Sequence, residues 1–253
     1  MTDAILLLDV GNTRLRWAVD VDGSFLTGGQ LVHGGQPAIS DLDVMLNAEA
    51  TPGRLVASCV ADESVWERIA QWAQTRLALA PERVRSPARG LGVINAYADP
   101  ARLGSDRWAA LVALRALCPG YACVVDAGTA TTVDLLAPGG RHLGGYILPG
   151  RRQLVSGVLE GTSVPAAELP VPERMPGRST EACLANGALV ALCALIESAV
   201  QRLESEARES VQCVLTGGDS ALLSRHLEIP HVTEPALVLR GLARIAREDV
   251  ASS

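Results

Sequence analysis

The sequence predicts an α/β protein made of two duplicated lobes that face one ligand. Three observations carry this prediction. Val124-Val125-Asp126 ends an apolar strand in a carboxylate, and Gly128, Thr129, Thr131 and Thr132 fill the turn before a second strand runs back to Leu136. About half a chain earlier, Leu6-Leu7-Leu8-Asp9 does the same, turning through Gly11-Asn12-Thr13 and returning through Leu15 to Val19. Composition is the third: 48% hydrophobic against 20% charged over 253 residues supplies core for one large domain or two lobes.

Each element follows in order. Residues 4–10, 13–20 and 24–31 read as an antiparallel meander joined by the short turns Gly11-Asn12 and Asp20-Val21-Asp22-Gly23. A short helix is expected over 41–50 and a strand over 54–60. Val65, Ile69, Trp72 and Leu77, near helical spacing, predict a helix over 63–79. A short strand over 83–85 and a Gly-rich loop follow. Asp99-Pro100 signals a helix start, and that helix is expected over 100–117, closed by Pro119-Gly120. The lobe boundary therefore falls between 118 and 119, giving lobes 1–118 and 119–253.

Strands over 121–126, 130–137 and 140–147 repeat the opening meander. A helix over 150–160, a proline-rich loop over 161–179 and a long helix over 181–205 come next. The long helix is apolar on most faces until Glu197, which marks it as buried or at a subunit interface. A strand over 211–216 ends in Gly217-Gly218-Asp219 and leads into another helix. A loop from His231 and a final amphipathic helix over 236–247 complete the chain.

Composition excludes several functions. A net charge of −6 and 3% aromatics argue against a nucleic-acid partner, which needs positive charge and stacking surfaces. All 22 basic residues are Arg, so a P-loop lysine and Schiff-base chemistry are ruled out. The Cys and His residues form no zinc-ligand spacing. The longest apolar stretch, Gly187 to Ile196, is short for a membrane span. Met1-Thr2-Asp3 leads directly into an apolar strand rather than a secretory signal, so a cytoplasmic protein is expected.

The repeated turn is the chemical signal. Alone, Asp9-Val10-Gly11-Asn12-Thr13 is equally well a plain hairpin turn. Its N–H groups, Asn and Thr also suit phosphate oxygens, and a neighbouring Asp can hold Mg²⁺ through water. The second copy, Asp126 to Thr132, favours phosphate binding. Thr216-Gly217-Gly218-Asp219 reads as a βα turn or as an adenosine-side contact. Asp106-Arg107, after Gly104-Ser105 and before Trp108 and an apolar run, reads as a surface ion pair or as a cleft-facing pair. In the second case the carboxylate takes a hydroxyl proton and the Arg fork binds an acidic substrate.

With these residues assembled, the chain resembles the type III pantothenate kinases of the actin-like, Hsp70 and sugar-kinase ATPase superfamily. The hairpins indicate the superfamily. Tyr97 to Pro100 with Leu103-Gly104-Ser105-Asp106-Arg107-Trp108 singles out the kinase type, and Gly144-Gly145-Tyr146-Ile147-Leu148-Pro149-Gly150, Ser179-Thr180 and Thr216-Gly217-Gly218 add matches. The resemblance implies two duplicated actin-like (ribonuclease H-like) lobes, each a mixed five-stranded sheet flanked by helices, with ATP in the cleft between them. It implies phosphorylation of the primary hydroxyl of pantothenate, the first step of coenzyme A synthesis. By position, Asp106 is the proton acceptor, and Tyr97, Gly104, Ser105, Asp106, Arg107 and Thr180 hold pantothenate. Asp9, Val10, Gly11, Asn12, Thr13, Arg14, Leu15 and Arg16 wrap the ATP phosphates, with Thr129 from the second hairpin and Mg²⁺ near Asp9. Asp126 ligates a monovalent cation, K⁺ or NH₄⁺. The family is dimeric, and Thr180 reaches a site built largely by the partner. One departure stands out: the family's Thr-Ala-x-Leu-Pro run is here Ala166-Ala167-Glu168-Leu169-Pro170. Two rivals remain, another kinase or phosphatase of the superfamily, and a non-catalytic nucleotide-binding accessory protein.

Overall fold

The computed structural model describes residues 4–34, 37, 39–47, 51–162 and 168–251. The chain forms two compact units, Met1–Leu117 with Ala236–Ser253, and Cys118–Pro235.

In the first unit, β1 (Ile5–Val10), β2 (Arg14–Val21) and β3 (Ser24–Val32) form the expected antiparallel meander. β1 is apolar on both faces, which suits a strand covered on both sides. The short α1 (Ile39–Leu42) runs into a 3₁₀ turn over Asp43–Asn47; the last three residues expected in that helix lie outside the described residues. β4 (Arg54–Cys59) then returns parallel to β1. α2 (Glu63–Leu77) starts where the Asp62 carboxylate accepts from the Ser64 N–H and ends at Ala78, whose left-handed backbone (φ 55°) turns the chain. β5 (Glu82–Arg83) completes a sheet of order β3-β2-β1-β4-β5. Leu6, Leu8 and Val10 pack with Leu15, Trp17, Leu55 and the Val65, Ile69, Trp72 face of α2, an aliphatic core fastened by the Trp72 indole N–H to Asp43.

Two features of this unit differ from the sequence reading. The Gly-rich loop contains a small hairpin, β6 (Arg89–Gly90) and β7 (Val93–Ile94), turned by Leu91 and Gly92 at positive φ. Two-residue strands carry no alternation to read. The helix expected over 100–117 is two pieces. Pro100–Arg102 is a 3₁₀ turn capped by Asp99, Leu103 is extended, and α3 (Ser105–Leu117) starts afresh. The Ser86 hydroxyl donates to the Leu103 carbonyl at 2.8 Å, claiming an acceptor that a continuous helix would use for its own ladder.

The second unit repeats the plan. β8 (Ala122–Ala127), β9 (Ala130–Leu136) and β10 (His142–Pro149) form the meander, with a bulge between His142 and Gly144. α4 (Arg151–Glu160) and α5 (Thr180–Ala207) follow, then β11 (Gln212–Thr216) parallel to β8, the short α6 (Ser220–Ser224), and β12 (His231–Thr233). The sheet order is β10-β9-β8-β11-β12, the same sequence of antiparallel and parallel neighbours as in the first unit. His231 begins an edge strand rather than a loop, because its three residues take the open edge of β11. α5 is long and apolar enough by length and composition to cross a membrane, and half of its apolar window is buried. Leu189, Leu192, Cys193 and Ile196 of that helix pack on Cys123, Val125 and Val133 of the sheet, as a core helix does.

The chain closes with α7 (Leu237–Ala251), which belongs to the first unit. This corrects the division at 118/119, which gave residues after 235 to the second lobe. The cause is packing: α7 lies on α3 and β1, the Ala246 carbonyl accepts from Arg54, and Arg247 pairs with the buried Asp20. At the α3–α7 crossing Gly241 stands against the Ala109 backbone, where a Cβ would meet the Ala109 carbonyl. Gly241→Ala is therefore expected to destabilise the protein by about 1–3 kcal/mol, read as a lower midpoint in urea. An unchanged midpoint would contradict this contact.

Candidate active site

The first unit gathers one cluster of candidate residues at one sheet end. Asp9 ends β1, with Arg16 of β2 and Ser58 of β4 as its register partners, so these three residues share one row across the sheet. The turn after Asp9 is pinned from both sides. The Gly11 N–H donates to the Arg14 carbonyl at 2.9 Å, the Thr13 carbonyl accepts from the His33 N–H, and the His33 ring nitrogen Nε2 meets the Gly11 carbonyl at 3.0 Å. Asn12 is exposed at the tip, and Gly11, Thr13, Arg14 and Arg16 are partly exposed. Val10 and Leu15 sit fully in the core, so their backbone is what they can offer a nucleotide.

The start of α3 stands over the same row. Ser105 and Ser58 share a buried hydroxyl–hydroxyl hydrogen bond of 2.9 Å, which ties the helix start to the strand beside Asp9. Ser58 and His33 are positions that sequence reasoning missed. Small polar residues at a strand end carry no motif, and only the register brings them to the site. Asp106 accepts from the Arg107 N–H at 2.7 Å through Oδ1. A Cβ on Gly104 would lie 2.5 Å from that same oxygen, so the Gly is what leaves the carboxylate its place. Arg107 is 6% exposed. Its Nη1 donates to the Tyr97 hydroxyl at 2.8 Å, and its guanidinium lies 5.6 Å from the Tyr97 ring centroid. Asp9, Gly104, Ser105, Asp106, Arg107 and Tyr97 are thus brought together in one unit.

The second unit builds a matching turn cluster. Asp126 ends β8, level with Thr132 of β9 and Thr216 of β11. The Gly128 N–H closes the hairpin on the Ala130 carbonyl, leaving Gly128 and Thr129 exposed. Gly217 takes φ +93°, and a Cβ there would come to 2.5 Å of both Asp126 Oδ1 and the Ala127 nitrogen. The Asp219 N–H reaches back to the Ala127 carbonyl at 2.9 Å, and Arg151 lies 3.5 Å from the Asp219 carboxylate. The Gly150 N–H donates to the Thr129 carbonyl at 2.9 Å, and Gly150 begins α4 without a side-chain cap. The Gly128 and Gly217 turns thereby lie beside Asp126, and the Gly150 turn that starts α4 lies against Thr129, so a helix N-terminus suited to anionic oxygens stands next to this hairpin. Among the described residues no group of three or more His, Cys, Asp or Glu is arranged to hold a metal, so any cation here would draw on single carboxylates, backbone and ligand oxygens.

Thr180 is in the second unit, exposed in the first turn of α5, where the Ser179 hydroxyl accepts from the Ala182 N–H. The segment before it is clamped. Asn186 accepts from the Glu173 N–H and donates to the Met175 carbonyl, while Arg174 forks onto Glu197 at 2.7 and 3.2 Å. Burial pushes the Glu197 carboxyl up, but hydrogen bonds from Arg174 and the Glu228 N–H outweigh it and hold the group below its ordinary value. The Ala166-Ala167 departure lies outside the described residues.

Each unit carries a five-stranded mixed sheet of the same order with an Asp–Gly–Thr turn at the end of its first strand, a duplicated actin-like architecture. The comparisons with known proteins narrow this. The family described as type III pantothenate kinase matches residues 5–202. The chain is 38% identical to a type III pantothenate kinase of Aromatoleum aromaticum, covering 98% of this chain and 100% of that one. It is 34% identical to that of Nitrosococcus oceani, over 96% and 94% of the two chains. A solved Campylobacter jejuni structure, named as a Baf family transcriptional activator, superposes with a TM-score of 0.61 at 19% identity, covering 97% of this chain and 99% of that one. A likeness at that identity carries the fold alone. The chain belongs to the type III pantothenate kinase family.

Proposed function

We propose that this protein transfers the γ-phosphoryl group of ATP to the primary hydroxyl of pantothenate, the first step of coenzyme A synthesis. The observation that carries the mechanism is the start of α3, where the Asp106 carboxylate is fixed beside a buried Arg107 held by Tyr97. The pantothenate hydroxyl gives its proton to Asp106 as its oxygen bonds to the γ-phosphorus. The bond from that phosphorus to the bridging oxygen breaks, and ADP leaves. Arg107 and Tyr97 take the acidic substrate, with Gly104 and Ser105 beside them, and Thr180 is assigned to pantothenate across the dimer. Positioning and charge neutralisation do most of the work in phosphoryl transfer. The experiment that tests this reading is ADP release by the purified protein with and without pantothenate.

Asp9, Gly11, Asn12, Thr13, Arg14 and Arg16, with the backbone of Val10 and Leu15, are assigned to the ATP phosphates, and Thr129 of the second hairpin is assigned to ATP as well. The donor set suits Mg²⁺ held by Asp9 together with water and phosphate oxygens; the bound ion supplies charge neutralisation. Asp126 is assigned to K⁺ or NH₄⁺. Its support is a carboxylate oxygen set among the backbone of the Gly217 turn and level with Thr132 and Thr216. Asp126→Ala is expected to weaken activation by K⁺ about tenfold, measured as the concentration giving half-maximal rate. An unchanged K⁺ dependence would refute the assignment.

The protein acts in the cytoplasm as a homodimer on this reading, with pantothenate and ATP as its ligands and without nucleic acid or membrane. The support for the dimer is the exposed face of α5, where Gly187, Val190, Ala191 and Ala194 present a run of small and apolar residues. Thr180 begins the same helix, so association along it would offer Thr180 to the partner's site.

A further inference from the structure

One residue beside the substrate group makes three side-chain hydrogen bonds and has no part in the chemistry above. Asn95 follows β7. Its amide nitrogen donates to the Pro87 carbonyl and to the Pro100 carbonyl, both at 3.2 Å, and its Oδ1 accepts from the Tyr97 N–H at 3.0 Å. Its own backbone N–H donates to the Ala88 carbonyl at 3.0 Å. A single side chain thus joins three stretches of irregular chain: the arm before β6, the backbone of Tyr97, and the 3₁₀ turn that leads to Leu103-Gly104. The Tyr97 hydroxyl in turn accepts from Arg107, with the guanidinium against the ring.

We propose that Asn95 is a positioning residue for the acidic substrate: it fixes Tyr97, and through Tyr97 the direction of the Arg107 fork. The proposal rests on the assignment of Tyr97 and Arg107 to pantothenate. Asn95 acts on one substrate only. Asp9, Ser58 and the nucleotide turn are held by bonds in which Asn95 takes no part. An Arg fork binds a carboxylate by direction as well as charge, so a tilt of its support costs affinity without removing the cation.

The test is steady-state kinetics on the full chain with Asn95→Ala and Asn95→Asp, each alone and combined with Tyr97→Phe. Asn95→Ala is expected to raise the KM for pantothenate about tenfold, while kcat and the KM for ATP stay within about twofold. Asn95→Asp keeps the acceptor for the Tyr97 N–H and loses both donors, so its KM lies between. In the Tyr97→Phe background, which already lacks the hydroxyl that Arg107 uses, Asn95→Ala adds less than about twofold. A rise shared equally by both substrates, a fall confined to kcat, or full additivity with Tyr97→Phe would overturn the proposal and leave Asn95 as a general brace. If the unsubstituted protein turns over pantothenate and Asn95→Ala leaves its KM unchanged, this proposal alone fails. If the unsubstituted protein releases no pantothenate-dependent ADP, the functional reading fails first and takes this one with it.

Discussion

Asp106→Asn is expected to bind ATP as the unsubstituted protein does and to lose about a thousandfold in kcat, within the range for removing a general base. The substitution is close to isosteric. The carboxamide oxygen can still accept from the Arg107 N–H, so the start of α3 keeps its hydrogen bond, and the space left by Gly104 still admits the side chain. What is lost is the ability to take a proton from the attacking hydroxyl. Binding should be followed by calorimetry with a non-hydrolysable ATP analogue, and turnover by ADP release. A near-normal kcat would remove Asp106 from the role of base, and weakened ATP binding would assign it to the nucleotide instead.

The second large effect is expected at Arg107. Arg107→Lys keeps the charge but gives up the planar fork, the contact with the Tyr97 ring and the geometry of the bond to its hydroxyl. The kcat/KM for pantothenate is expected to fall about a hundredfold, carried mostly by KM, while the KM for ATP holds. Because Arg107 is buried, thermal melting of the variant must accompany the kinetics. A loss in both substrates with an unchanged melt would show that Arg107 serves the phosphates rather than the acid.

Much of this architecture could be read from the chain because the same device is written twice. Asp9 and Asp126 each close an apolar strand before a Gly- and Thr-containing turn, and the two sheets that follow have the same order. The apolar runs of β1 and α5 and the helical spacing of Val65, Ile69 and Trp72 in α2 announce those elements in the sequence. Apart from the β6–β7 hairpin, whose strands are too short to read, the misreadings share one physical cause, since each depended on a contact distant in sequence. α7 belongs with α3 and β1 because of Gly241, Arg54 and Asp20, none of which a local pattern reveals. The break before Ser105 depends on the Ser86 hydroxyl, and β12 is too short to exist without the edge it joins. At the candidate site, the residues proposed for the chemistry, Asp9, Asp106, Arg107 and Asp126, are those whose residue types stand out in the sequence. The residues that hold them, Ser58, His33 and Asn95, are ordinary polar types whose meaning comes from register and loop geometry.

The measurement that tests the central claim most directly is ADP release by the purified protein with ATP, Mg²⁺ and K⁺, with and without pantothenate. The account predicts release that depends on pantothenate, with phosphate recovered on the primary hydroxyl of the product. ATP binding with no pantothenate-dependent release, under either K⁺ or NH₄⁺, would contradict it and favour a nucleotide-binding protein without this activity.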